Sequence, residues 1–310
     1  MQDYHLLPKL RDSLSYLYVE HAVLERRDNA VLVLQETGRT PVPAAGLSLL
    51  VLGPGTTVTH AAVKLLCEHG CSMVWAGQDM EHFYAQGLGE TRRAYHLLRQ
   101  AELVSDPAKR LRVVIRMYER RFGCALDPSL SLEQIRGMEG ARVRQAYSEA
   151  AQKYGIEWAG RNYDPSSWNR ADPANRALSA ANALLNGLCH AAIVSGGYSP
   201  ALGFVHTGRQ LSFVYDIADL YKTRFTIPTA FRAVAEGTEE VEKRTRQACR
   251  DLFRDEKLLS QILPDIDALL EIPAEVEDLA EVDPAQPTPW WNPPEGCDQP
   301  AAFSDSLSVS

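Results

Sequence analysis

Three side chains between positions 206 and 219 could hold a cation. They are His206 in Gly203-Phe-Val-His206-Thr-Gly208, and Asp216 and Asp219 in Leu211-Ser-Phe-Val-Tyr-Asp216-Ile-Ala-Asp219-Leu-Tyr-Lys222. Leu211, Val214, Tyr215, Ala218 and Tyr221 recur at helical spacing, which predicts an amphipathic helix entered through the His206-Thr-Gly208 turn. Carboxylates three residues apart then share nearly one helix face. Their neighbours Tyr215, Ile217, Ala218 and Leu220 are apolar, so the pair is costly unless something positive sits between them. A divalent cation, with an imidazole nitrogen from His206, would answer that need. Capping and ion pairing with Lys222 and Arg224 would answer it equally well.

A second stretch, Arg136-Gly-Met-Glu139-Gly-Ala-Arg142-Val-Arg144, sets one acid among three arginines. Glu139 is expected at the start of a helix, where the macrodipole favours an acid, and the flanking glycines let other groups approach closely. A carboxylate in a basic cradle suits metal-dependent phosphodiester chemistry. The acid holds the cation, and Arg136, Arg142, Arg144, Lys222 and Arg224 are candidate contacts to a nucleic-acid backbone.

These residues need a scaffold that changes character near position 86. Residues 1–86 read as a β-rich domain, with apolar or alternating runs at 14–19, 30–35, 47–52, 71–76 and 81–85 separated by turn chemistry. One helix over 60–68, capped by Thr57 or Thr59, interrupts them. Gly53-Pro-Gly55 lacks the Gly-Lys-Ser/Thr ending of a phosphate loop and reads as a tight turn. Residues 87–272 shift to a period of 3.6, with helices expected over 91–104, 107–122, 139–154, 174–196, 209–224, 228–236, 239–255 and 257–270. The predicted fold is therefore α+β, a β-rich N-terminal domain followed by an all-helical catalytic domain.

Residues 273–310 form an acidic, proline-rich tail expected to be disordered. Trp290-Trp291 within it reads either as a partner-docking peptide or as a segment that packs back on the chain. Nine acids and no Lys or Arg lie between Glu271 and Ser310; the rest holds 31 acids and 32 bases, so the net charge of −8 belongs to the tail. Between Thr91 and Ala146 twelve bases face six acids. That arginine-rich region suits phosphate contacts, or solvated helix faces with intrahelical pairs. The six scattered cysteines are expected as thiols; Cys67, His69 and Cys71 lack a second pair to complete a zinc site. There is no run of about 18 apolar residues to cross a membrane. The first residues lack the order of a signal peptide, so a cytoplasmic location is expected.

Taken together, Arg136–Arg144, Phe204-Val-His-Thr-Gly208 and Leu211–Asp219 closely resemble the CRISPR-associated spacer-acquisition integrase family, CRISPR-associated protein 1. Leu52–Val63, Asn162-Tyr-Asp-Pro165 and Ala248–Arg254 resemble its type I-E branch. The resemblance runs from about residue 5 to 270 and covers the tail least. It implies a homodimer formed through the N-terminal half. Two dimers would flank a dimer of CRISPR-associated protein 2, four of this chain to two of the partner. It further implies Glu139, His206 and Asp219 as metal ligands, and Asp216 as an additional acid beside them. Carboxylate oxygens and one imidazole suit Mg²⁺ or Mn²⁺. The expected reaction joins the 3′-hydroxyl of a short DNA duplex to a phosphodiester of the CRISPR repeat. A stand-alone endonuclease on branched DNA and a non-catalytic architectural DNA binder are the alternatives.

Overall fold

The computed structural model describes residues 16–47, 49–77, 83–87, 95–161 and 172–272. Two four-stranded sheets open the chain. In one, β1 (Tyr16–Val19), β5 (Leu49–Leu52) and β7 (Ser72–Ala76) run parallel, and β8 (Phe83–Gln86) closes the row antiparallel to β7. In the other, β2 (Val23–Arg27), β3 (Ala30–Gln35) and β4 (Gly38–Pro43) form an antiparallel meander, and the short β6 (Thr57–Val58) pairs parallel with β2. Helix α1 (His60–Glu68) connects β6 to β7 and is capped by Thr59, whose side chain accepts from the Ala62 amide.

Strand β5 is apolar at every position because both of its faces are buried, as befits a central parallel strand. Alternation along the chain divides its side chains between two cores. Leu50, Leu52 and Met73 join Leu24, Val31, Leu65 and Leu66 in a small cluster. Leu49, Val51, Val74 and Ala76 join the large cluster built by the helices that follow. The apolar core therefore runs across the boundary expected at 86/87, and the described residues up to Ile272 form one compact unit. Gly53 turns the chain out of β5 against Tyr18, where a Cβ would lie 2.4 Å from the phenol oxygen.

Eight further helices complete the described chain: α2 (Tyr95–Ser105), α3 (Pro107–Phe122), α4 (Leu132–Tyr154), α5 (Pro173–Ser195), α6 (Ser212–Ala218), α7 (Thr226–Ala235), α8 (Val241–Asp255) and α9 (Leu258–Leu270). Their ends carry the expected signals. Asp106 caps α3, which begins with Pro107 and stops at Gly123 in the left-handed region. Ser131 and Gln134 form a capping box on α4. Helix α5 is long and apolar enough to cross a membrane by length and composition. Most of it is buried, however, with α6, α7, α8 and α9 packed against it.

The α+β class agrees with the sequence reading, and several boundaries differ. Strands β2, β4 and β6 went unread. Only Leu24 of β2 is buried, so its alternation is faint, and the prolines of β4 are tolerated because it is an edge strand. Helix α4 starts at Leu132 rather than 139, because Gly137 and Gly140 pass as helical residues. Glu139 therefore lies two turns inside the helix. The helix expected over 209–224 is α-helical only from Ser212 to Ala218 and continues as successive turns to Phe225. Among the described residues, Cys71, Cys124, Cys189 and Cys249 are free thiols. Asn162–Pro165, Trp290, Trp291 and the acidic tail lie outside the described residues.

Candidate active site

The segment Gly203–His206 lies against the start of α6. At Gly203 a Cβ would come within 2.3 Å of the His206 carbonyl oxygen and 2.7 Å of Ser212 Cβ, so only glycine fits. Two upstream helices hold the segment in place. Arg110 of α3 donates from Nε and Nη2 to the Phe204 carbonyl at 2.9 and 2.6 Å. Gln100 of α2 donates to the carbonyls of Ser199 and Leu202 and accepts from the Ser199 amide.

Asp216 is fully buried and turned toward this segment. Its Oδ2 accepts from the amides of Phe204 (2.5 Å) and Val205 (3.1 Å). Its Oδ1 accepts from the His206 amide at 2.8 Å and faces His206 Nδ1 at 2.7 Å. A carboxylate surrounded by donors takes the proton of Nδ1 as another hydrogen bond, which leaves the Nε2 lone pair free. That Nε2 lies 3.9 Å from Asp219 Oδ2. The two aspartates, which spacing alone puts on one face, thus have separate tasks. Asp216 sits behind the imidazole and positions it, and Asp219 shares its front.

Asp219 ends α6 and meets Lys222 Nζ at 2.6 Å through Oδ1 and Arg121 Nη2 at 3.5 Å through Oδ2. Burial raises its pKa, but Lys222, Arg121 and His206 together outweigh that and hold the carboxyl below its usual range. Glu139 arrives from α4. Arg142, one turn on, grips it at both oxygens (2.8 and 3.1 Å), and Arg121 Nη1 stands 3.8 Å from Oε1. Arg142 also donates to Thr223 Oγ1 at 3.2 Å, tying α4 to the turns after α6.

Among the described residues no three His, Cys, Asp or Glu side chains are gathered closely enough to hold an ion as they stand. Arg121, Arg142 and Lys222 take up the carboxylate oxygens instead. The donor set itself, two carboxylates and an imidazole nitrogen freed by its partner, fits a hard divalent cation.

The arginine-rich region serves mainly to join elements. Arg116 donates to the Leu269 carbonyl and pairs with Glu271, Arg99 donates to the Leu270 carbonyl, and Arg120 pairs with Asp265. Of the candidate nucleic-acid contacts, Arg142 and Lys222 bind the site acids and Arg224 pairs with Glu256. Arg136 and Arg144 are exposed on α4. Arg209, also exposed, stands between His206 and α6 and was not read as a contact. Arg121, Arg110 and Gln100 were also missed. A signal for Arg121 was present: Val113, Val114, Met117 and Tyr118 mark the buried face of α3, and position 121 continues it.

A mixed sheet-and-helix scaffold carrying an acid, imidazole and arginine cluster of this kind has relatives. The sequence profile of the family described as CRISPR associated protein Cas1 matches residues 15–123 and 120–250. The CRISPR-associated endonuclease Cas1 2 of Thermus thermophilus is 53% identical over 289 residues, covering 92% of this chain and 89% of that protein. The CRISPR-associated endonuclease Cas1 of Escherichia coli is 41% identical over 279 residues, covering 90% and 91%. Among solved structures, a TtCas1–DNA complex superposes with a TM-score of 0.75 at 53% identity, over 86% of this chain and all of that one. The chain belongs to the Cas1 family of CRISPR-associated proteins.

Proposed function

We infer that this chain is a DNA integrase and endonuclease of CRISPR adaptation that uses Glu139, His206 and Asp219 to hold Mg²⁺ or Mn²⁺. One observation carries the reading: Asp216 fixes Nδ1 of His206 and leaves Nε2 facing Asp219. A buried carboxylate behind a histidine is the usual support for a ligating imidazole. Bound there, the cation would orient the attacking hydroxyl and offset charge on the non-bridging phosphate oxygens.

The chain's own residues supply the rest. Arg136, Arg144 and Arg209 offer exposed cations to the DNA backbone. Arg142 and Lys222 stand beside the acids, where they can turn toward phosphate once those acids gain another partner. The attacking 3′-oxygen becomes joined to the 5′-phosphate of the repeat strand, and the segment upstream of the broken bond leaves with a free 3′-hydroxyl. One phosphodiester replaces another, so no nucleotide is consumed. Double-stranded protospacer and repeat DNA would be the substrates; the DNA complex of the similar TtCas1 supports the binding of DNA. The assembly would be a homodimer, with two dimers flanking a dimer of CRISPR-associated protein 2. Trp290 and Trp291 are candidates for docking that partner.

The relatives' shared name, endonuclease, favours a second outcome at the same residues, in which water is the nucleophile and branched DNA is cut. Strand transfer separates the two. The purified chain, its small partner and a labelled duplex with free 3′-hydroxyls are mixed with a plasmid carrying leader and repeat. Label joined only with divalent metal, and not by Asp219→Ala, is expected. Cutting without joining would favour the nuclease. Binding indifferent to chelator and to Asp219→Ala would indicate an architectural protein.

A further inference from the structure

Among the described residues, Arg121 is the cation that reaches both Glu139 and Asp219, at 3.8 and 3.5 Å. Its side chain is 3% exposed. It enters on the apolar face of α3 beside Met117 and Tyr118, with the guanidinium carbon 5.3 Å from the centre of the Tyr118 ring. Nη2 donates to the Asp216 carbonyl at 3.2 Å, while the buried Nε has no hydrogen-bond partner. Burying a guanidinium with a donor unfilled is costly unless charge compensates. Here two carboxylates compensate. Both contacts are longer than hydrogen bonds, so neither acid captures the guanidinium, which is poised between them. The other two cations differ: Arg142 (26% exposed) grips Glu139 alone and Lys222 (28% exposed) Asp219 alone. Those two can swing to solvent or phosphate. Arg121 cannot.

We propose that Arg121 is a built-in counter-cation, a positioning residue that holds Glu139 and Asp219 side by side when no divalent ion lies between them and opposes that ion's entry. The second half rests on the metal reading above; the first does not. Without the guanidinium, these half-buried carboxylates keep only Arg142 and Lys222, one each and both free to turn to solvent, so the metal-free protein loses stability. A doubly charged ion entering the same space no longer meets a positive neighbour, so it binds more tightly.

The test is a mutant cycle read by thermal unfolding of the metal-free full chain, using Arg121→Met, Asp219→Asn and the double variant. Arg121→Met is expected to lower Tm by about 5 °C or more, and adding Asp219→Asn is expected to recover at least half of that loss. No recovery would mean that Arg121 only fills space, and the proposal would fail. Should Arg121→Met not fold, Arg121→Lys decides: the retained charge must keep most of the wild-type Tm, and complete loss overturns the idea. In the metal arm, calorimetry with Mn²⁺ alone is expected to show Arg121→Met binding about tenfold more tightly than wild type. Equal or weaker binding would overturn the claim of opposition. Recovery in the cycle without any Mn²⁺ binding by wild type would sink the metal reading and leave the counter-cation standing.

Discussion

Nδ1 of His206 lies 2.7 Å from Oδ1 of Asp216, a buried carboxylate that also accepts three consecutive backbone amides from Phe204 to His206. One side chain thereby sets the course of the loop and the tautomer of its imidazole. Removing it strands buried donors, each costing roughly 1–3 kcal/mol. Three amides lose their acceptor together, so Asp216→Ala should destabilise the fold by about 3 kcal/mol or more. Denaturant unfolding measures this. A loss under about 1 kcal/mol would show that the loop holds itself without Asp216.

Asp219 and Glu139 stand at the open side of the same cluster. Glu139→Gln, His206→Ala and Asp219→Asn should each cut strand joining by about a hundredfold or more. DNA affinity should change by no more than about threefold. Gel-shift and joining assays on the same preparations compare the two losses, and parallel losses would place these residues in binding instead.

The arginines divide by what they touch. Arg136→Ala and Arg144→Ala should each weaken DNA binding and reduce the slope of log affinity against log salt by about 0.9. Arg116→Ala, which removes the bond between α3 and the end of α9, should lower Tm and leave the slope unchanged. A salt titration of the three variants checks this division.

His190 predicts an acid limit. Its ring lies 4.3 Å from Phe83, its Nδ1 is buried without a hydrogen-bond partner, and burial depresses its pKa from 6.5 to about 4. Below about pH 6.5 the unfolded chain takes up this proton, and the native chain does so only near pH 4. The unfolded state therefore binds more protons in that window, and stability falls as pH falls through it. The full effect is about 3 kcal/mol. Urea unfolding from pH 7 to 4.5 should show the decline, and His190→Leu should flatten it. An unchanged slope in the variant would assign the decline to other groups.

Local signals were enough for much of this protein. The apolar runs of β5 and of Met73–Ala76 and the Thr59 cap each depend on residues a few positions apart, and each is legible by eye. So is the chemical kinship of Glu139, His206 and Asp219, through the motifs around them. The limits of α4 and α6 were harder, because glycines at 137 and 140 weaken the helical pattern and turns after Ala218 imitate it. Tertiary structure alone decided the sense of the charges. Whether Asp216 faces an ion or a loop, and whether Arg116 meets phosphate or the Leu269 carbonyl, depends on which element packs opposite. In a low-dielectric interior, a charge is governed by its nearest partner in space. For Arg110 and Arg121, those partners lie 94 and 95 residues away in the chain.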